Sequence, residues 1–306
     1  MNSVSGRSTT SQFQVERLTG TLGARVVGLD CRAVDDAVWD AVLAVFHTHH
    51  LLVFPGQRLT PENHAAFMAR FGELDIHPQE LSARSTLPLP GHPSIELMAN
   101  EPGNYGPRAS AWHTDVTFRQ LPPAVTSLYG VQTPSGCADT VWVNMRGVFE
   151  SFSPGMKTVL RSLDAVHATA FSRGAARAGS VNYDPTQEAD PRKYELQAQY
   201  RDPVVHPVVH AHEAGYETLY VNPAFVSGID GWSDDESESV LACVYQRATE
   251  PVHMYRHRWS QNDLVLWDNR CLMHYGVNDY GEDDRRILHR TTGAPFEVHA
   301  SRPVVN

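Results

Sequence analysis

The segment Ala111-Trp-His113-Thr-Asp115-Val-Thr-Phe118 places an imidazole two residues before a carboxylate. Along an extended strand, residues two apart project to one face, so His113 and Asp115 can converge on a single ion while Thr114 points away. Of the sixteen histidines, only His113 is followed by an acidic residue at that spacing. Taken alone, such a pair is more often a hydrogen-bonded strand pair than a metal site. A second segment, Trp267-Asp-Asn269-Arg-Cys-Leu-Met-His274, supplies another histidine after a strand over Leu264 to Trp267. Past the turn Gly281-Glu-Asp-Asp284 comes Arg285-Arg286-Ile-Leu-His-Arg290-Thr-Thr. If residues 286–292 are extended, Arg286, Leu288 and Arg290 share a face, and two guanidiniums in line on an inner face require anions. Two histidines and one carboxylate are the protein ligands of a facial non-haem Fe(II) centre, which leaves three coordination positions open.

The elements that must hold these residues read as mixed. Apolar residues at Val38, Ala41, Val42, Val45 and Phe46 have helical spacing over Asp36 to His47, and Leu51-Leu-Val-Phe54 before Pro55-Gly56 reads as a buried strand. Thr60-Pro61 opens a second helix running to about Phe71-Gly72, Ser153-Pro154 a third, and the capping box Ser233-Asp-Asp-Glu236 a fourth. Short β-type runs lie at Ala124 to Val131, Thr140 to Val143, Val204 to Val209, Thr218 to Val221, Leu264 to Trp267 and Ile287 to Thr292. Many short strands punctuated by turns suggest a jelly-roll or sandwich decorated with helices. Residues 172–201 carry many charges and few apolar side chains, and are expected to form a mobile lid or insert.

Composition narrows the classes. A chain of 306 residues, 42% apolar and 20% charged, can bury a substantial core in one domain. A net charge of −10 argues against a chain-wide nucleic-acid or anionic-membrane surface. Four cysteines without a CxxC pair favour a reducing compartment. Residues 1–14 are Ser/Thr-rich without an apolar signal core and are expected to be a disordered tail before a single domain over 15–306. A cytoplasmic homo-oligomer, dimer or tetramer, is expected, with no nucleic-acid or membrane partner. His210-Ala-His212 has same-face spacing but no carboxylate beside it and is expected at the surface. His47, His49 and His50 suit the C-terminal end of the first helix, and Cys271 is expected as a small buried apolar residue.

The ordered blocks Leu18-Thr-Gly-Thr-Leu-Gly-Ala-Arg-Val-Val-Gly-Leu-Asp30, Val53-Phe-Pro-Gly-Gln57, Arg70-Phe-Gly-Glu-Leu74, Trp112 to Phe118, Pro122-Pro123, Trp267-Asp-Asn-Arg270 and Arg285 to Arg290 span nearly the whole chain. In these blocks the sequence resembles the TauD/TfdA, or taurine dioxygenase-like, family of Fe(II)- and 2-oxoglutarate-dependent dioxygenases. The resemblance implies a mixed α+β fold with a double-stranded β-helix (jelly-roll) core and flanking helices. It implies His113, Asp115 and His274 as iron ligands, Thr140 and Arg286 as receptors for 2-oxoglutarate, and His77 and Arg290 as contacts to the primary substrate. The inner-face argument does not choose between Arg285 and Arg286; one extra residue in the preceding turn makes Arg286 the better match to the family. Where taurine-oxidising members carry a tyrosine and an asparagine, this chain has Glu80 and Ala109, so a small anionic organic substrate other than taurine is expected. The implied reaction consumes O2 and 2-oxoglutarate, releases succinate and CO2, and hydroxylates the substrate, with C–S, C–O or C–N cleavage where the new alcohol is unstable. A carboxylate or amino-acid derivative of a biosynthetic pathway is an alternative substrate. A non-catalytic jelly-roll that binds metal or 2-oxoglutarate, or a metal hydrolase, would share the ligands, but neither a simple metal-binding module nor a hydrolase needs the Arg286/Thr140 receptor.

Overall fold

The structure is a computed structural model of the chain and describes residues 13–76, 86–101, 104–105, 111–169, 202–281 and 283–301. The strands are β1 (Gln14–Arg17), β2 (Ala24–Val27), β3 (Leu51–Phe54), β4 (Thr86–Leu89), β5 (His92–Glu101), β6 (Asn104–Tyr105), β7 (Pro123–Gln132) and β8 (Thr140–Asn144). They continue as β9 (Asp164–His167), β10 (Val204–Pro207), β11 (Val209–Ala211), β12 (Glu217–Leu219), β13 (Val226–Ile229), β14 (Met254–His257), β15 (Leu264–Asp268), β16 (Leu272–Gly276) and β17 (Arg286–Pro295). Helices among the described residues are α1 (Asp36–His49), α2 (Pro61–Met68), α3 (Met145–Ser151), α4 (Pro154–Arg161) and α5 (Asp234–Ala248). None of these helices is long and apolar enough to cross a membrane. The expected tail lies outside the described residues except for its last two: Phe13 is buried and Gln14 opens β1. The expected lid at 172–201 also lies outside them.

A nine-stranded sheet runs β1-β2-β3-β15-β7-β17-β5-β4, with β6 on β5, and a three-stranded sheet runs β14-β8-β16. Strands buried on both faces follow from their sequences. In β3, Leu51 and Val53 face the layer between the sheets with Val265 and Trp267 of β15, while Leu52 and Phe54 face α1 with Leu264 and Leu266. Continuous apolar runs of this kind are what a central strand needs, because each side of its pleat meets a different core. The layer between the sheets also takes Trp142 of β8, Leu272 of β16 and Leu288 of β17. On the outer face of the small sheet, Val143 and Met273 pack with α3, α4 and α5.

The helix starts agree with their caps. Asp35, Thr60, Ser153 and Ser233 each accept a backbone amide of the first turn, and Thr60 and Ser233 complete capping boxes. Helix α2 ends sooner than its sequence suggests: after Met68 the chain tightens into three-residue turns that reach Gly72 at φ +149. Segment 73–75 is then tied to β17 by Asp75 N–H to Thr292 O at 2.8 Å and Ala294 N–H to Glu73 O at 2.7 Å. That approach requires Gly293, where a Cβ would lie 2.6 Å from Glu73 O.

His50 closes α1 in the left-handed region at φ 63 and donates its backbone N–H to Phe46 O. Burial pushes its imidazole down to about 4, as it does for His210, and takes His64 to about 3. Each folded-state value lies below the unfolded value of about 6.5, so the unfolded chain takes up protons first. Stability present above pH 6.5 is therefore lost as pH falls toward 4, by about 2 kcal/mol per histidine at pH 5. The urea midpoint is expected to fall between pH 7 and pH 5, and His50→Asn, which tolerates the left-handed backbone, should flatten part of that slope. A midpoint independent of pH over this range would contradict the assignment.

Candidate metal centre

His113 and His274 are joined by an isolated antiparallel bridge, with His113 N–H to His274 O at 3.0 Å and His274 N–H to His113 O at 2.7 Å. The expectation that the His-x-Asp pair lies on a strand is corrected here. Beyond this single bridge the Thr114 side-chain hydroxyl takes the Leu272 carbonyl, and the chain turns at Val116, φ 43. Asp115 thus reaches the site from a turn rather than along a pleat. His274 lies on β16, alternating with Met273, so its ring enters the layer between the sheets. There it meets Trp267 at 4.8 Å and Trp142 at 6.5 Å between ring centroids.

His113 Nδ1–H donates to Ala111 O at 2.9 Å, which leaves the Nε2 lone pair for the site. Nε2 of His113 and of His274 lie 3.9 and 3.8 Å from Asp115 Oδ1. Burial, opposed by Asp115, lowers the His113 pKa; burial, reinforced by His113, takes His274 well below its ordinary value. Both rings are neutral near pH 7 and can act as donors. Burial opposes ionisation of Asp115, but the Arg290 guanidinium foremost, with the two imidazoles and the Thr126 hydroxyl, more than offsets it, and the carboxyl stays below its usual range. One potential donor atom from each residue lies within 4.8 Å of the others, the sole such group of three or more among the described residues. Two neutral imidazoles and one carboxylate, enclosed by aromatic rings, fit a divalent transition metal of the borderline class.

Both oxygens of Asp115 are engaged. Oδ2 accepts from Thr126 Oγ1 at 2.7 Å, and Oδ1 accepts from Arg290 Nη2 at 2.8 Å. Arg290 Nη1 also reaches Glu96 Oε2 at 3.3 Å, across the β17–β5 register in which the two residues are partners. Arg286, four residues earlier on the same face, is part-buried, and its Nε has no hydrogen-bond partner. Burial lowers its pKa. Arg285 is exposed, so the structure separates the two arginines that the inner-face argument left equivalent. Thr140 opens β8 facing the same layer as Trp142, and its Oγ1 accepts from Trp259 Nε1 at 3.0 Å. His77, Glu80 and Ala109 lie outside the described residues.

His210 and His212, expected at the surface, are 2% and 4% exposed. His212 Nδ1 accepts from Ala214 N, so Nε2–H donates to Asp268 Oδ2 at 3.0 Å. Arg270 clamps the same carboxylate through Nε and Nη2, both at 2.8 Å, and donates to Glu213 at 2.6 Å. This buried network pins the β15–β16 turn from which His274 follows. Its signal was present in Asp268 and Arg270 of the quoted motif, but the partner His212 is remote in sequence. Glu96, Thr126 and Asn269 were likewise not singled out by sequence reasoning.

The model of the taurine catabolism dioxygenase TauD, TfdA family matches residues 14–292. An alkylsulfatase of Acinetobacter baylyi is 30% identical over 290 residues, covering 92% of this chain and 85% of the relative. A (S)-phenoxypropionate/alpha-ketoglutarate-dioxygenase of Sphingobium herbicidovorans is 31% identical over 269 residues, covering 86% and 88%. The solved structure of AAD-2 in complex with Mn(II) and N-oxalylglycine superposes with a TM-score of 0.74 at 25% identity, covering 94% of this chain and 98% of that one. With the ligand trio, the arginine pair and this match over nearly the whole chain, the protein belongs to the TauD/TfdA family of dioxygenases.

Proposed function

We propose that this chain is an Fe(II)- and 2-oxoglutarate-dependent dioxygenase that oxidises a small anionic organic substrate, on a double-stranded β-helix (jelly-roll) core formed by the two facing sheets. The observation that carries the reading is the convergence of His113, Asp115 and His274 in a layer that also holds the unpartnered Arg286 Nε. His113 and His274 would hold the metal through an imidazole nitrogen each and Asp115 through its carboxylate. Arg286 receives the distal carboxylate of 2-oxoglutarate, and Thr140 contributes its hydroxyl to a carboxylate. When bound, ferrous iron with 2-oxoglutarate and O2 supplies an oxidant that can remove hydrogen from an unactivated C–H bond, with release of succinate and CO2. The rings of Trp142 and Trp267 against His274 and of Phe225 against His113 give the ligands an apolar surround. The chain acts in the cytoplasm, a reading supported by its sparse free cysteines.

Arg290 holds the anionic group of the substrate. Asp115 and Glu96 take two of its five N–H donors, which leaves three. His77, which lies outside the described residues, is retained from the family resemblance as a second substrate contact. Relatives named for sulfate and phenoxy-acid chemistry favour an alkyl sulfate ester or an aryloxyalkanoate. Hydroxylation of the carbon bearing the ester or ether oxygen gives a hemiacetal-type product. That product collapses to a carbonyl compound and frees the sulfate or phenol.

Anaerobic addition of Fe(II) and 2-oxoglutarate should give a weak visible charge-transfer band, and admission of O2 with a competent substrate should release succinate. A metal-loaded protein with no such band would contradict the dioxygenase reading. In a panel of sulfate esters, aryloxyalkanoates, sulfonates and neutral analogues, anions should stimulate succinate release most. Arg290→Ala should raise their KM by about 10- to 100-fold, the scale of a lost hydrogen bond to a charged group. Neutral compounds turning over best would rule out the anion pocket.

A further inference from the structure

A directed chain of buried hydrogen bonds ends on Asp115. Trp267 Nε1–H, which can only donate, bonds to Asn269 Oδ1 at 2.9 Å and so fixes which end of that amide is oxygen. Asn269 Nδ2–H then donates to Thr126 Oγ1 at 2.8 Å, and Thr126 Oγ1–H donates to Asp115 Oδ2 at 2.7 Å. Trp267, Asn269 and Thr126 are at most 1% exposed and Asp115 is 4% exposed, so water does not compete for these bonds. The hydroxyl has one proton, and because the amide already donates to its oxygen, that proton goes to the carboxylate.

We infer that Thr126 and Asn269 are positioning residues that commit Asp115 Oδ2 to the protein and leave Oδ1, which also accepts from Arg290 Nη2, as the oxygen turned toward the two imidazoles. A carboxylate bound through one oxygen occupies one coordination position and leaves three beside the two imidazoles. If Oδ2 were released, the carboxylate could rotate and turn Oδ1 away from the two Nε2 atoms, and the trio would hold a metal less tightly. Trp267 has a further part: its ring lies against His274 while its indole N–H starts the chain that holds Asp115, so one side chain orients two of the three ligands. Outer partners of this kind set both the direction and the basicity of a ligand.

The inference rests on the proposed metal site, and its test reads metal affinity rather than turnover. Co(II) is titrated calorimetrically into the metal-free full chain and into its Thr126→Val and Thr126→Ser variants. Thr126→Val keeps the shape and loses the hydroxyl, and should bind Co(II) about 10- to 100-fold more weakly. Thr126→Ser keeps the hydroxyl and should return to within about threefold of the parent, since the charge-assisted bond is restored. If Thr126→Val does not fold, Asn269→Leu provides the second test. It removes the donor that directs the Thr126 proton and should weaken binding in the same direction. Unchanged Co(II) affinity in either folded variant overturns the positioning role. A parent chain that binds no Co(II) overturns the metal site itself.

Discussion

His113→Ala is expected to reduce O2-dependent succinate formation by about a thousandfold or more, because metal-centred stabilisation amounts to several kcal/mol and each 1.36 kcal/mol is tenfold in rate. The geometry confines the damage to the site. The ring makes one side-chain hydrogen bond, to the carbonyl of Ala111, and the bridge to His274 uses only backbone atoms. The metal-free variant should therefore keep the fold while losing one of three ligands. The comparison is made on single-turnover succinate release together with a thermal melt of the metal-free protein. Activity that survives with the melt unchanged would remove His113 from the ligand set.

Arg286→Ala should act in opposite directions on function and stability. A buried guanidinium that binds a carboxylate contributes about 2–5 kcal/mol when its partner is present, so the KM for 2-oxoglutarate is expected to rise by roughly two orders of magnitude. In the chain without 2-oxoglutarate the same group is a liability. Its Nε is buried without a partner and burial depresses its pKa. Removing an uncompensated buried donor of this type relieves about 1–3 kcal/mol, partly offset by the space left behind. The melting temperature of the ligand-free protein should accordingly hold or rise. Arg286→Lys keeps the charge but loses the planar fork, and should recover only part of the affinity. A KM for 2-oxoglutarate that does not change in Arg286→Ala would exclude it as the receptor.

Much of this was legible where a local pattern carries the chemistry. The alternation of Arg286, Leu288 and Arg290 and the apolar runs of β3 and β15 each encode a face in a few adjacent residues, and the His113-x-Asp115 spacing marked the right pair although a turn, not a pleat, brings Asp115 in. What was hidden depends on register between distant strands. Glu96 becomes a partner of Arg290 only because β5 pairs with β17, and the mixed sequence His92-Pro-Ser-Ile-Glu-Leu-Met-Ala-Asn-Glu101 gives little alternation by which to recognise β5. Thr126 sits in a recognised strand, but which hydroxyl reaches Asp115 depends on where the turn after His113 carries that carboxylate. The pair His210 and His212 was expected outside for want of a nearby acid; the acid, Asp268, arrives from β15.

The order of the strands bears on how the molecule is made. The central part of the large sheet contains β17, inserted between β7 and β5, although it is the last strand among the described residues to leave the ribosome. Until it emerges, β7 and β5 have unpaired edges facing one another, and neither Arg286 nor Arg290 can be in place. Closing such a long loop is slow compared with forming local helices. A nascent chain therefore presents open strand edges for most of its synthesis and is exposed to aggregation during that interval. Iron cannot be captured by the complete ligand trio until His274 has emerged, so loading of that trio follows, rather than guides, synthesis of most of the fold.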